Sequence, residues 1–132
     1  MVCRGIRGAT TVSANTAEDI LEATTEMLRT LIALNQLDDP EMIASAYFTT
    51  TPDLNATFPA IAARDLGWID VPLMCGHEMD VPGALEHVVR VLLHVNTDRS
   101  AKDVRHVYLK GAKALRPSWA ISDEELRKAI SG

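Results

Sequence analysis

Residues 86–96 read EHVVRVLLHVN, and this run constrains the fold more than any other stretch of the chain. Its valines favour an extended backbone, so the run is read as a long strand. A period of two places Val89, Val91, Leu93 and Val95 on one face. Val88, Arg90, Leu92 and His94 fall on the other. The first face must be covered by other parts of the chain. The second holds an arginine in apolar company, and a desolvated guanidinium needs an anion or a hydrogen-bonding partner. Arg90 therefore belongs to a structural ion pair, faces water, or meets an anionic ligand.

The remaining elements follow from periodicity and punctuation. Thr16 to Asn35 is the clearest helix, with Thr16 as its cap and Asp19 as the acid of a capping box. Ile20, Ala23, Met27, Leu31 and Leu34 recur at helical spacing, so this helix should cover a sheet. Residues 3–12, CRGIRGATTV, read as a strand, weakened by Gly5 and Gly8 unless something approaches closely. Residues 43–51 read as a second strand. Residues 58–66 read as a short helix with Pro59 in its first turn, ended by Gly67. Residues 71–75 form a short apolar segment, 76–83 a loop and 105–110 a short strand. The tail, 118–132, is polar and is expected to be weakly helical and mobile. The order β-α-β-α-β-β-β predicts one α+β domain over 1–132, a mixed sheet with helices on one face.

Composition excludes several functions. With 13 basic against 18 acidic residues the net charge is −5, which lacks the basic footprint of nucleic-acid binding. No apolar run approaches the roughly 20 residues of a membrane span, and no apolar stretch follows Arg4 and Arg7 as in a signal peptide. Two cysteines, Cys3 and Cys75, are too few for a disulfide framework, so a reducing cytoplasm is expected, with both read as small buried residues. The four histidines show no zinc-ligand spacing, and no metal site is read. A nucleophile elbow, a phosphate loop and a dinucleotide fingerprint are all missing, so chemistry needing no cofactor is expected.

Three further side chains raise the same question as Arg90. Arg7 sits near Gly5 and Gly8, which are expected to leave room for a carboxylate beside its guanidinium. The plainer reading is a surface arginine near a terminus. Glu78, in the loop CGHEMDVPG, is either a solvated carboxylate or part of a site. Tyr108 is either a core residue or a ligand contact.

Five segments together resemble the trimeric chorismate mutase family: RGIRGATTV at 4–12, TTTPDLNATFPAIAAR at 49–64, VPLMCGHEMDVPGAL at 71–85, VVRVLLHVNTD at 88–98 and VRHVYLKGAKALRP at 104–117. The resemblance implies a homotrimer of pseudo-α/β-barrels, with active sites between subunits and chorismate as substrate. It implies catalytic roles for Arg90 and Glu78 and substrate binding by Arg7, Tyr108 and Cys75. Phe58, Ala60 and Arg64 would come from the neighbouring subunit. Leu115 and Arg116 would belong to a closing C-terminal segment. The chain departs from its relatives at Ile61, where they often carry a polar or charged residue, and in a slightly shorter loop before Trp68.

The reaction so implied is a rearrangement within one molecule, which fits a chain without a nucleophile, base or cofactor motif. Two other readings use the same features. A non-catalytic trimeric module could bind an aromatic dicarboxylate through the arginines, but it would not need Arg90 and Glu78 together. A small trimeric imine or enamine hydrolase would need to place a water and move protons, a task open to Glu78. A purely structural protein accounts for the fewest of these residues.

Overall fold

The computed structural model describes residues 1–131. Five strands form one mixed sheet: β1 (Val2–Thr11), β2 (Ile43–Thr50), β3 (Leu73–His77), β4 (Val88–Thr97) and β5 (Val107–Tyr108). Their spatial order is β3-β2-β4-β1-β5, so β4 lies at the centre. β4 runs antiparallel to both β1 and β2, while β1–β5 and β2–β3 are parallel. Three helices complete the fold: α1 (Ala17–Asn35), α2 (Ala60–Asp65) and α3 (Asp123–Ser131). The expected element order and α+β class hold.

The alternation in β4 is realised. Val89, Val91, Leu93 and Val95 are buried against Ile20, Met27, Leu28 and Leu31 of α1, whereas Arg90, Leu92 and His94 are only half-buried. The close approach demanded by a glycine occurs at Gly8. A Cβ there would lie 2.9 Å from Leu31 and 3.2 Å from both Met27 and Val91. Gly8 thus makes room for the helix. It does not make room for Arg7, which points to the opposite face of β1.

Several boundaries differ from the sequence reading, each for a local reason. β4 begins at Val88 rather than Glu86, because His87 turns through φ 56°. The Asp53 carboxylate accepts the His87 N–H at 3.1 Å, and Val12 N–H donates to the His87 carbonyl at 2.8 Å. Thr16 caps α1 by accepting from Asp19 N–H at 3.1 Å, but the Asp19 carboxylate turns to Ser13, so the reciprocal half of the capping box is not made. The third strand starts at Leu73, not Val71, and runs on to His77 beside β2. Pro59 is the cap residue of α2, and Gly67 ends it at φ 98°. Cys3 is exposed, not buried.

The segment read as a tail contains a short 3₁₀ turn (Pro117–Trp119) and α3. Ile121 is buried and Leu126 packs on the core. Gly132 lies outside the described residues. No helix among the described residues is long and apolar enough to cross a membrane.

Candidate active site

The face of the sheet turned away from α1 carries most of the residues singled out in the sequence. Register sets their arrangement. Arg90 pairs with Ala9 on one side and Thr49 on the other, and Ala9 pairs in turn with Tyr108. Arg7 is one step along β1, opposite Leu92. Arg7, Arg90 and Tyr108 therefore share a face, with small residues flanking Arg90. On such a face diagonal neighbours lie about 7–8 Å apart, near enough for two long side chains to reach one small ligand.

Glu78 joins this group from the loop after β3. Its N–H donates to the Thr50 carbonyl at 2.8 Å, which fixes the backbone. Its carboxylate accepts from the Thr49 hydroxyl at 2.6 Å and lies 3.6 Å from Arg90 Nε. That last distance is a charge contact and too long for a hydrogen bond. Arg90 Nε is buried and has no hydrogen-bond partner among the described residues. A buried donor left unpaired costs about 1–3 kcal/mol, so Arg90 is held ready for an acceptor. Tyr108 is in the same state: fully buried, with its hydroxyl unpaired. The Arg7 guanidinium lies 5.9 Å from the Tyr108 ring centroid.

Leu115 follows a 3₁₀ turn (Lys110–Ala114) and, with Trp119, packs on Ala9, Tyr108 and Ala112. Arg116 is exposed beside them, its guanidinium 3.5 Å from the Trp119 ring centroid. The C-terminal segment thus sits over Tyr108, next to Arg7.

The other site residues lie elsewhere. Cys75 pairs with Phe48, which pairs with Val91, so its side chain is on the helix-covered face. Burial raises the pKa of its thiol, partly offset by the Ala60 backbone, and the thiol stays a neutral donor. Cys75 and Phe58 line a cavity of about 360 Å³, with Ala60 close by. Phe58 itself is 69% exposed, unusual for a phenylalanine, and Arg64 is exposed on α2. Within one chain, then, Arg7, Arg90, Glu78, Tyr108, Leu115 and Arg116 gather around one face. Phe58, Ala60, Arg64 and Cys75 belong to the other side of the sheet.

Two contributors escaped the sequence reading. Thr49 orients Glu78, but only the register shows that it faces Arg90. Asn15 accepts from Asn55 N–H at 3.0 Å and Ala56 N–H at 3.1 Å, holding the loop that presents Phe58.

Comparison with known proteins shows the family. The family description "Chorismate mutase type I" matches residues 3–119. The chain belongs to the chorismate mutase type I family. It is 45% identical to the chorismate mutase AroH of Bacillus subtilis over 123 residues, covering 92% of this chain and 96% of the relative. It is 48% identical to the chorismate mutase AroH of Thermus thermophilus over 114 residues, covering 86% and 93%. The solved chorismate mutase of Clostridium thermocellum superposes with a TM-score of 0.81 at 54% identity, covering 83% of this chain and 97% of that one. The activity is chorismate mutase activity: the chain is an isomerase that converts chorismate to prephenate, a step of aromatic amino acid biosynthesis.

Proposed function

We propose that this chorismate mutase works as a homotrimer, with each active site built from the Arg90 face of one subunit and the Phe58 edge of the next. The observation that carries the reading is Arg90: a buried cationic donor without an acceptor, beside a carboxylate, on the face that also holds Arg7 and Tyr108. The exposure of Phe58 supports the contribution of a second chain, because an aromatic wall is of use only against something apolar.

The rearrangement breaks one carbon–oxygen bond while one carbon–carbon bond forms, with no proton removed and no group attacking. The substrate is a dianion that must fold its side chain over its ring. Arg7 and Tyr108 grip one carboxylate, which is a positioning task, and Arg116 closes over the ligand. As the ether bond stretches, negative charge grows on its oxygen, and Arg90 donates to it more strongly than in the ground state. Glu78, held by Thr49, accepts from the ring hydroxyl and favours the positive charge that develops on the ring. Phe58, Ala60 and Arg64 of the neighbouring subunit line the opposite wall, and Cys75, on that same side of the sheet, supports the hydroxyl end from there as a neutral donor. The free thiols accord with a cytoplasmic enzyme.

Subunit mixing tests the shared site. Arg90→Ala and Arg64→Ala are each expected to be nearly inactive alone. Mixed and reassembled, they should regain turnover, followed as loss of the chorismate diene absorbance with prephenate identified as product. A mixture no more active than its components would refute a site shared between chains.

A further inference from the structure

His106 and Trp119 lie between two arginines of the proposed site, and the mechanism above gives neither a role. His106 is half-buried just ahead of β5. Its Nδ1 accepts the backbone N–H of Arg7 at 3.0 Å, which requires that nitrogen to be unprotonated. Its ring stacks on Trp119, with centroids 3.9 Å apart and planes tilted by 32°. Trp119 also meets the Arg116 guanidinium at 3.5 Å and the Tyr108 ring at 5.7 Å. The segment is anchored next to this stack, where Ile121 N–H donates to the Tyr108 carbonyl at 3.1 Å.

The charges facing His106 are cationic. Arg7 approaches from β1 and Arg116 from the C-terminal segment. Lys102 and Arg105 border the small cavity that the ring lines with Ser118 and Trp119. On α3, Glu125 is engaged by Arg105 at 3.0 Å and Asp123 by Lys113 at 3.4 Å. Burial, then Arg116, then Arg7, lower the pKa of the imidazole from its usual 6.5. The neutral acceptor form is therefore the one present at pH 7.

We propose that neutral His106 and Trp119 are positioning residues that fix the spacing between Arg7 and Arg116, and that protonating His106 uncouples the two arginines. Proton uptake at Nδ1 turns the acceptor into a donor facing the Arg7 N–H and places a third cation between two others. The coupling is present above the folded pKa of His106 and is lost as pH falls through it. This inference rests on the reading of Arg7 and Arg116 as substrate-binding groups.

The test is a KM and kcat profile of the full chain with chorismate between roughly pH 5 and 8. In the wild type, KM should rise at least about fivefold at the acid end, the scale of one lost hydrogen bond of about 1 kcal/mol, while kcat changes less. His106→Asn keeps an acceptor near the Nδ1 position but cannot titrate, and should abolish the acid rise. His106→Phe keeps the stack without the acceptor, and its KM should be raised and independent of pH. The fluorescence that Trp119 contributes, taken as the difference from Trp119→Phe, should change with the same midpoint and lose that transition in His106→Asn. A flat wild-type KM would overturn the inference while leaving the chorismate reading intact. So would an acid rise that persists in His106→Asn, or a wild-type KM in His106→Phe. Absence of turnover in the wild type would overturn the underlying site reading instead.

Discussion

Replacing Arg90 with citrulline, its neutral isostere, separates a contact the structure shows from the role proposed for this side chain in the reaction. The first is its contact with Glu78 at 3.6 Å, between side chains 29% and 31% exposed. At an effective dielectric of about 20 the gross attraction is about 4–5 kcal/mol. Desolvation and solvent screening of such partly exposed groups reduce the net value to about 1 kcal/mol or less. The second is the proposed donation to the ether oxygen, where a lost charged donor costs about 3 kcal/mol or more of transition-state stabilisation. The substitution should therefore lower kcat by about 100-fold to 1,000-fold while unfolding stability falls by no more than about 1 kcal/mol. Citrulline keeps the shape and the Nε–H, so repacking cannot account for the loss. Semisynthetic enzyme, assayed by diene absorbance and by urea denaturation, gives both numbers. Near-normal turnover would refute the electrostatic role, and a large loss of stability would show Arg90 to be chiefly structural.

Three other outcomes follow from particular contacts. Thr49→Val removes the 2.6 Å bond to Glu78 and should lower kcat roughly fivefold to tenfold, as expected for about 1 kcal/mol, with little change in KM; an unchanged kcat would remove Thr49 from the site. Gly8→Ala drives a methyl to 2.9 Å from Leu31 and should cost about 1–3 kcal/mol by chemical denaturation; a neutral result would mean that α1 shifts freely. The Asp53 carboxyl would be raised by burial, but bonds from Thr51 and the His87 backbone, with the His87 charge, bring it below its usual 3.8. Its folded pKa is depressed, so its stabilisation is present above pH 3.8 and is lost as pH falls through the folded value. Asp53→Asn should flatten that part of the acid-unfolding curve, and an unchanged curve would count against it.

The sequence made the core legible where one residue's neighbours along the chain decide its face. The alternation from Val88 to Val95 placed Arg90 opposite the helix-covered side, and the spacing from Ile20 to Leu34 placed α1 over the sheet. It failed where the deciding neighbour is distant in the chain. The room that Gly8 provides belongs to Leu31 and Met27, which no local pattern reveals. Thr49 reads as one threonine of three until the register sets it against Arg90. His87 breaks its strand because of Asp53, 34 residues earlier. Cys75 sits in the same short segment as the site loop, yet the parity of β3 turns its thiol to the other face. The roles of the site residues were suggested by five matched segments rather than by any one residue type.

The Arg90 face also poses a problem for a single chain. Tyr47 is 42% exposed and Met74 69% exposed, and they pair across β2 and β3 with Leu92 beyond them on β4. Met79, Val81 and Leu85 of the following loop are also exposed. β3 is an edge strand of the sheet, and an apolar face that ends at an open edge invites association. The proposed closed symmetric assembly would satisfy this requirement and supply the Phe58 wall in the same step. Met74→Asp places a carboxylate on that face without touching Arg90, Glu78 or Arg7. In the separated chain the charge remains in water and should cost little, whereas in an assembled interface it must be desolvated without a partner, at a cost of several kcal/mol. Sedimentation should then show a folded monomer with little turnover, even though Arg7, Glu78, Arg90 and Tyr108 are all in place. A Met74→Asp protein that remains trimeric would refute the use of this face for assembly, and a fully active monomer would refute the need for a second chain.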